Sequence, residues 1–498
     1  MLPEQKSTMM KMLPRPIVCF ILTTACFHLG TYAMKAATDF SGDNPPVASR
    51  LTEAKSSDGQ YISWKEHLID TSETNDIDLS GSDGVQVADL DRDGYPDVIS
   101  VHESDIEYDG VGDGHIRLAF GSADPDEWEL VTLAQGPEAG AAEDTAIADV
   151  NGDGWPDIIA ACEIEHLIYF QNPGKDIRSG TWERIIPKIT ANRGSFIRVF
   201  FADFNGDGKP EVTAPNKGKQ LPGLHTDTLS PISWFEITGN PLDQDSWKEH
   251  ELTRVDIPEN ARPVDLDGDG DLDILGASRG EERIFWFENL GTNPISFQEH
   301  QISAIEDGIP YPITGVNLDF HDFNRDGRLD IVVYHSPYKR RFGWLEQPDD
   351  FQKPWNLHPI GAKDPDNGIG IVVADINSDG NMDVMTGTYS ASPRDHDGED
   401  KTVNDQLGRL AWFENPGDPT GNWIHHDISR RIRGMFDQFV PIDLDRDGDL
   451  EFVSTRGNSH PYDGVFWLEQ VRTKKPVHRF TPARKKESRE VGIPDGQH

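Results

Sequence analysis

A nine-residue acidic motif occurs seven times along the chain, and this repetition constrains the fold more than any other feature. The copies are DLDRDGYPD from residue 89, DVNGDGWPD from 149, DFNGDGKPE from 203, DLDGDGDLD from 265, DFNRDGRLD from 322, DINSDGNMD from 375 and DLDRDGDLE from 443. Their first residues are 60, 54, 62, 57, 53 and 68 residues apart. Because self-similarity at such a period is the signature of repeat architectures, the chain is expected to fold as one ring or array.

Each repeat contains four strand candidates around the motif. An aromatic-led segment such as WKEHLI (64–69) lies upstream, one apolar run enters the motif, a second leaves it, and a run such as IFWFEN follows. Four short strands in each of seven units predict an all-β fold, a seven-bladed β-propeller of four-stranded blades. The run that enters the motif is expected to be innermost, and residues 64–69 are expected to close the ring as the outer strand of the last blade.

The spacing within the motif predicts a calcium loop. Ca²⁺ takes six to eight oxygen ligands at about 2.3–2.6 Å, and alternate side chains of a tight loop with a glycine can converge on it. Positions 1, 3, 5 and 9 would supply side-chain oxygens and position 7 a backbone carbonyl. The predicted ligands are Asp89, Asp91, Asp93, Tyr95, Asp97, Asp149, Asn151, Asp153, Trp155, Asp157, Asp203, Asn205, Asp207, Lys209, Glu211, Asp265, Asp267, Asp269, Asp271, Asp273, Asp322, Asn324, Asp326, Arg328, Asp330, Asp375, Asn377, Asp379, Asn381, Asp383, Asp443, Asp445, Asp447, Asp449 and Glu451.

The predicted cofactor is therefore Ca²⁺, with up to seven structural ions. Position 3 is aspartate only at Asp91, Asp267 and Asp445, so the first, fourth and seventh loops carry one more carboxylate and are expected to bind more tightly. Metal-free turns rich in Asx residues are the alternative for these loops. Mg²⁺ is disfavoured because it gives up its water reluctantly.

The seven D-x-[DN]-x-D-G-x-x-[DE] loops between strands resemble those of the FG-GAP or VCBS repeat propellers. The resemblance extends over roughly residues 60 to 470. It implies seven-bladed rings whose loops between the two inner strands bind calcium, and it implies little about activity.

A second set of residues recurs in the aromatic-led segments. Five of these segments carry histidine at one offset, namely His67, His250, His300, His358 and His426. A histidine set can indicate a transition metal. The propeller places these residues on separate blades, so a packing role beside the recurring tryptophans is the prediction.

Ligand binding is expected on the face opposite the acidic loops, where the connections between the second and third strands converge. The candidate binding residues there are His102, His115, His166, Tyr334, His335, Lys339, Tyr389, His396, His460 and Tyr462. We expect an interaction module for carbohydrate or an extracellular protein. The alternative is a sugar-active enzyme such as a polysaccharide lyase or sugar dehydratase, which requires His, Tyr and Arg side chains to cluster around one pocket.

The termini and the charge indicate location and partners. Residues 1–37 have the pattern of a signal peptide, 38–60 of a linker, 61–470 of the propeller, and 471–498 of a basic, disordered tail. The predicted protein is secreted, periplasmic or extracellular, monomeric, and without a stable membrane span once the signal is removed; only Cys162 would then remain. The formal net charge of −41 disfavours nucleic acid as a partner.

Overall fold

Seven sheets, antiparallel except for one short parallel pair in each of two of them, form a β-propeller in the computed structural model, which describes residues 44–104, 112–221, 228–335 and 341–495. We number each blade by its acidic loop and its strands from the axis outward. The inner strands are Ser82–Ala88, Ala142–Ala148, Phe200–Ala202, Pro258–Val264, Ile313–His321, Asn367–Ala374 and Phe439–Ile442. The second strands are Asp97–His102, Asp157–Cys162, Glu211–Pro215, Asp273–Ser278, Asp330–His335, Asp383–Tyr389 and Glu451–Arg456.

The remaining strands complete the blades. The third strands are His115–Phe120, His166–Gln171, Ser230–Ile237, Arg283–Asn289, Arg341–Glu346, Gly408–Glu414 and Gly464–Thr473. The outer strands of blades 1 to 6 are Glu129–Gln135, Glu183–Ile185, Trp247–Val255, Phe297–Gln301, Trp355–Ala362 and Ile424–Arg431. Short strands Ala304–Glu306 and Ile309–Pro310 extend blade 5, and the described 3-10 helices are Val47–Ser49, Gly136–Ala139, Gly174–Ser179 and Gln244–Ser246.

The ring closes as the sequence predicts. The outer strand of blade 7 is Tyr61–Thr71, which pairs antiparallel with Gly464–Thr473 so that His67 lies opposite Trp467. Each inner strand contacts the next one around the axis, including the contact from blade 7 back to blade 1. The predicted all-β, seven-bladed propeller with an N-terminal closing strand is confirmed.

The hydrophobic core lies between the blades. Seven clusters of buried apolar residues each join two neighbouring sheets; one of them packs Leu118 and Phe120 of blade 1 against Ile158 and Phe170 of blade 2. A blade therefore buries its two faces only against its neighbours, as repeat units do. Closing the ring gives every blade both neighbours.

The recurring outer-strand histidines pack as predicted. Each lies 4.0 to 4.8 Å, between ring centroids, from a tryptophan on the third strand of its own blade. Nε2 of each histidine is also 2.6 to 3.1 Å from a glutamate two residues after that tryptophan. The repeated histidines thus fasten the outer strand to the third strand within each of five blades.

The C-terminal segment differs from its prediction as a disordered tail. Phe480 joins the last sheet through the two-residue strand Phe480–Thr481, and Val491 and Ile493 are buried. The Ile432 N–H donates to the Arg489 carbonyl at 3.0 Å, and Arg456 pairs with Glu487 at 2.7 Å. The tail is ordered because partners distant in sequence, on blades 6 and 7, take up its polar groups.

The expected linker also lies against the propeller over its described part, residues 44–60. The Val47 N–H donates to the Val491 carbonyl at 3.0 Å, and the Ser57 N–H donates to the Asn377 carbonyl at 2.8 Å. The signal-peptide prediction for residues 1–37 falls outside the described residues. The described residues include no helix that is long and apolar enough to span a membrane.

Truncation after Thr473 tests this order at the C-terminus. The shortened chain is expected to unfold at a lower temperature, because Phe480, Val491 and Ile493 each contribute roughly 1.5–3 kcal/mol when fully buried. Truncation after Asp495 serves as the control. Equal melting temperatures for the two truncated chains, measured by differential scanning calorimetry, would contradict the packing described for the tail.

Candidate functional site

All seven acidic loops have the same backbone geometry. In the first loop the Gly94 N–H donates to Asp89 at 3.0 Å, the Asp93 N–H to Asp91 at 3.0 Å, and the Tyr95 N–H to Asp93 at 2.9 Å. Short carboxylates and amides therefore satisfy the backbone of a tight turn. Gly94 has φ of +90°, and a Cβ added there would meet no atom within 4 Å, so backbone conformation rather than space requires glycine.

The acidic side chain at position 9 is buried and holds the loop to the rest of its blade. In blade 4, one oxygen of Asp273 accepts the Leu266 N–H at 3.0 Å and the other accepts the Asn289 N–H at 2.8 Å. Leu266 lies within the loop, and Asn289 ends the third strand. Position 9 accepts the N–H of loop position 2 in all seven blades.

Burial raises the pKa of every position 9 carboxyl. The pKa rises to about 7 at Asp97, Glu211, Asp273 and Asp330, to about 6 at Asp157, to about 8 at Asp383 and to about 9 at Glu451. Desolvation is the largest cause at each, and neighbouring loop carboxylates add to it in all seven loops. The loops thus favour a nearby positive charge.

The donor set of the loops fits a hard cation. In loops 1, 4 and 7, three carboxylates each offer an oxygen within 4.8 Å of the other two. Ligands of one Ca²⁺ at about 2.3–2.6 Å lie no more than about 5 Å apart. A carboxylate oxygen that accepts one N–H keeps a second lone pair, so the hydrogen bonds of the turn are compatible with a shared ion.

The three loops that have aspartate at position 3 differ in their contacts with arginine. Arg178 contacts Asp91 of loop 1 at 2.5 Å, and Arg472 contacts Asp449 of loop 7 at 3.1 Å. Among the described residues no lysine or arginine pairs with the five aspartates of loop 4. Loop 4 therefore has the largest uncompensated negative charge of the three.

Neighbouring loops are linked around the ring. The Gln347 side-chain amide, at the end of the third strand of blade 5, donates to the Leu266 carbonyl in loop 4 at 2.7 Å. Asn172, Asn289 and Gln470 make the same link from blades 2, 4 and 7 to the preceding loop. The loops of one face are therefore part of the contacts that hold blade to blade.

On the opposite face, two of the candidate residues, His102 and His115, lie opposite each other on neighbouring strands of blade 1. His102 is fully buried between the hydroxyls of Ser82 and Ser100, at 2.6 and 3.0 Å, and burial holds its pKa well below the ordinary value. His115 is 2.9 Å from the Ser104 hydroxyl, and burial also lowers its pKa.

The other described candidates lie on blades 2, 5, 6 and 7, where Arg433 contacts both His460 and Tyr462. His166 donates to the Glu138 carbonyl at 3.0 Å and lines a cavity of about 530 Å³ that no other described candidate lines. The remaining contacts are Tyr334 to Asn367, His396 to Asp395, His460 to Asp78, Tyr462 to the guanidinium groups of Arg433 and Arg484, and a backbone bridge from Tyr389 to Met435. The His335 side chain and Lys339 lie outside the described residues.

The structure instead brings together a charged set near the axis that the sequence analysis missed. Its members lie either six residues before position 1 of an acidic loop or six residues after position 9. In the first group the charged residues are Asp83, Glu143, Glu259 and Asp437; in the second they are Glu103, Glu163, Lys217 and Arg279. Six residues of strand correspond to about 20 Å, which places this set at the far end of the inner hairpins.

Hydrogen bonds between distant blades cross the axis at this level. Arg198 of blade 3 donates to Asp437 of blade 7 at 2.9 Å and to Asn317 of blade 5 at 3.1 Å. Asn317 in turn donates to Asp437 at 2.6 Å. Gln438 of blade 7 donates to Asp144 of blade 2 at 2.9 Å. These side chains fix the inner strands against one another at the axis.

Comparison with known proteins agrees with the repeat architecture. Residues 149–214, 265–333 and 322–386 match the FG-GAP-like repeat family. The chain is a seven-bladed β-propeller that contains FG-GAP-like repeats.

One similar protein is the T-cell immunomodulatory protein homolog of Plasmodium yoelii yoelii. It is 25% identical over 151 residues, which are 28% of this chain and 20% of that protein. The match thus spans about a fifth of the relative's length.

Substitution of Asp273 tests the structural role of position 9. Asp273→Ala leaves the Leu266 and Asn289 N–H groups without their acceptor, and each buried unsatisfied group costs about 1–3 kcal/mol. The loss of stability should persist with a chelator present, because it does not require a metal. Asp271→Ala, at position 7 of the same loop, is the control, and denaturant unfolding is the measurement. Equal stability of the two variants in chelator would contradict this role.

Proposed function

We propose that this chain is a secreted, calcium-stabilised interaction module that binds an extracellular protein. The spread of the candidate residues around the ring carries this proposal: on the face opposite the loops, the described histidines and tyrosines belong to blades 1, 2, 5, 6 and 7, and most have hydrogen-bond partners close by. A rigid ring that presents separated side chains suits recognition of a surface. The name of the Plasmodium relative, an immunomodulatory protein homolog, is compatible with such a role.

Charge favours a protein partner over an acidic glycan. The formal net charge of −41 repels polyanions such as uronate polymers, whereas a basic protein surface would be attracted and steered to the propeller. The alternative sugar lyase or dehydratase needs acid and base side chains that converge on one substrate. Among the described candidates the neighbouring pairs are His102 with His115 and His460 with Tyr462, and each pair lies within a single blade.

The calcium part of the proposal rests on the loops. Their oxygen-only donors, their negative charge and the raised pKa values of their buried carboxyls all favour a hard cation. Bound Ca²⁺ would neutralise charge where the loops are linked to the neighbouring blades. Binding to the folded ring would then add directly to its stability.

A matched pair of variants tests whether the loops bind calcium. Asp267→Asn in loop 4 and Asp91→Asn in loop 1 both create the asparagine that four other loops carry at position 3. We expect Ca²⁺ to raise the melting temperature of the wild-type chain. Asp267→Asn should reduce that gain more than Asp91→Asn, because Arg178 already offsets part of the charge in loop 1.

The measurement is thermal unfolding in Ca²⁺ and in chelator, with Mg²⁺ as the comparison ion. A wild-type melting temperature that is the same in Ca²⁺ and in chelator would contradict the calcium proposal. Equal losses for the two variants would contradict the stated difference between loops.

Binding of the full chain to defined probes tests the interaction module. The chain is presented in Ca²⁺ to a panel of recombinant extracellular protein domains and to an array of neutral and uronate oligosaccharides. We expect saturable binding to a basic protein domain that weakens as salt increases. Binding confined to oligosaccharides would overturn the choice of a protein partner, and release of unsaturated products from the uronates would establish the enzyme instead.

A further inference from the structure

Three carboxylates meet near the propeller axis, at the end of the inner hairpins remote from the acidic loops. Asp83 belongs to the inner strand of blade 1, Glu103 follows the second strand of that blade, and Glu143 belongs to the inner strand of blade 2. Each offers an oxygen within 4.8 Å of the other two. We call these three residues the axial triad.

Asp83 is buried, and the described residues give it no hydrogen-bond donor. Its exposed fraction is 1%, and neither of its carboxylate oxygens has a hydrogen-bond partner in the described part of the chain. Burial and the neighbouring Glu103 and Asp437 raise the pKa of Asp83 well above its ordinary value. Burying an ionised carboxylate without a donor is costly. Ionised Asp83 therefore needs a partner beyond those that the described residues supply.

The described cations around the triad either pair with other carboxylates or lie 3.6 to 3.9 Å from a triad oxygen. Lys217 pairs with Glu163, Arg279 pairs with Glu259 at 3.0 Å, and Arg198 pairs with Asp437 at 2.9 Å. The distance from Arg198 to Glu143 is 3.9 Å.

Arg394 approaches one member of the triad. Its guanidinium lies 3.6 Å from Glu103. Among the described residues, one guanidinium at this distance does not balance three carboxylates when all three are ionised. A bound cation would compensate the remaining charge.

We propose that the axial triad binds a hard divalent cation, at a site separate from the seven loops. Three carboxylates supply only oxygen, which Ca²⁺, Mg²⁺ and Mn²⁺ prefer, whereas Zn²⁺ sites are usually built from histidine and cysteine. The Glu143 side chain is 13% exposed, so the site has an opening to solvent. The ion would join blades 1 and 2 at the axis, and the proposal does not depend on metal binding by the loops.

Counting bound Mn²⁺ tests this site, since Mn²⁺ takes oxygen ligands and is measured by elemental analysis. The wild-type chain, the double variant Asp83→Asn with Glu143→Gln, and the control Glu165→Gln are dialysed to equilibrium against Mn²⁺. Glu165 is exposed in the connection between the second and third strands of blade 2. We expect the double variant to lose about one equivalent of metal, because the loops keep all their ligands, and the control to lose none. An unchanged count in the double variant would overturn the proposal.

Stability in chelator gives a second readout. Without metal, Asp83→Asn should raise the melting temperature above that of the wild-type chain, because the ionised Asp83 carboxylate is buried against two other carboxylates and destabilises the fold. A lower melting temperature would show that the fold already satisfies the Asp83 carboxylate, and would overturn the proposal. If the double variant does not fold, Glu143→Gln alone, at the partly exposed position, provides the metal count. Failure of the loops to bind Ca²⁺ would leave the difference between these variants unchanged.

Discussion

The buried carboxylate at the ninth loop position is the interaction on which the propeller depends most. It accepts a backbone N–H from its own loop and, in most blades, a second one from the end of the third strand. The residue that ends the third strand then reaches the preceding loop through its side-chain amide in four blades. A single acidic side chain thus organises a hairpin and ties it to its sheet. It also positions the end of the third strand, from which a side-chain amide reaches the preceding blade.

The repeat explains how much of the fold the sequence could predict. Blade number, strand order and closure by residues 64–69 follow from seven copies of one pattern, since each copy faces the same local problem. The histidines at one offset were predictable as packing residues for the same reason, and the stacking of His250 on Trp234 shows the shared arrangement.

What the sequence could not predict depends on contacts between distant parts of the chain. The C-terminal segment reads as a basic tail, yet Glu487 meets Arg456, and Val491 meets the N-terminal segment at Val47. In the sequence, the residues of the axial triad share only their distance of six residues from the start or the end of an acidic loop. That offset carries different residues in different blades, so Asp83 and Glu143 have no counterpart in, for example, Ile369.

The two faces of the ring therefore differ in the residues that they carry. One face carries repeated oxygen-rich loops that are linked to the neighbouring blades, and the other carries residues that vary from blade to blade. On this second face we propose recognition of a partner. Partly exposed side chains there are held in place by local partners, as His460 is by Asp78. Such a surface is preorganised, which lowers the entropic cost of binding.

Hydrogen–deuterium exchange of the full chain, followed by mass spectrometry in Ca²⁺ and in chelator, tests most directly whether cations in the loops hold the blades together. We expect removal of Ca²⁺ to speed exchange in the peptides of the loops and in the third-strand ends linked to them, including Leu266 and Asn289. Exchange that is the same in both conditions would contradict a role of loop cations in holding the blades together.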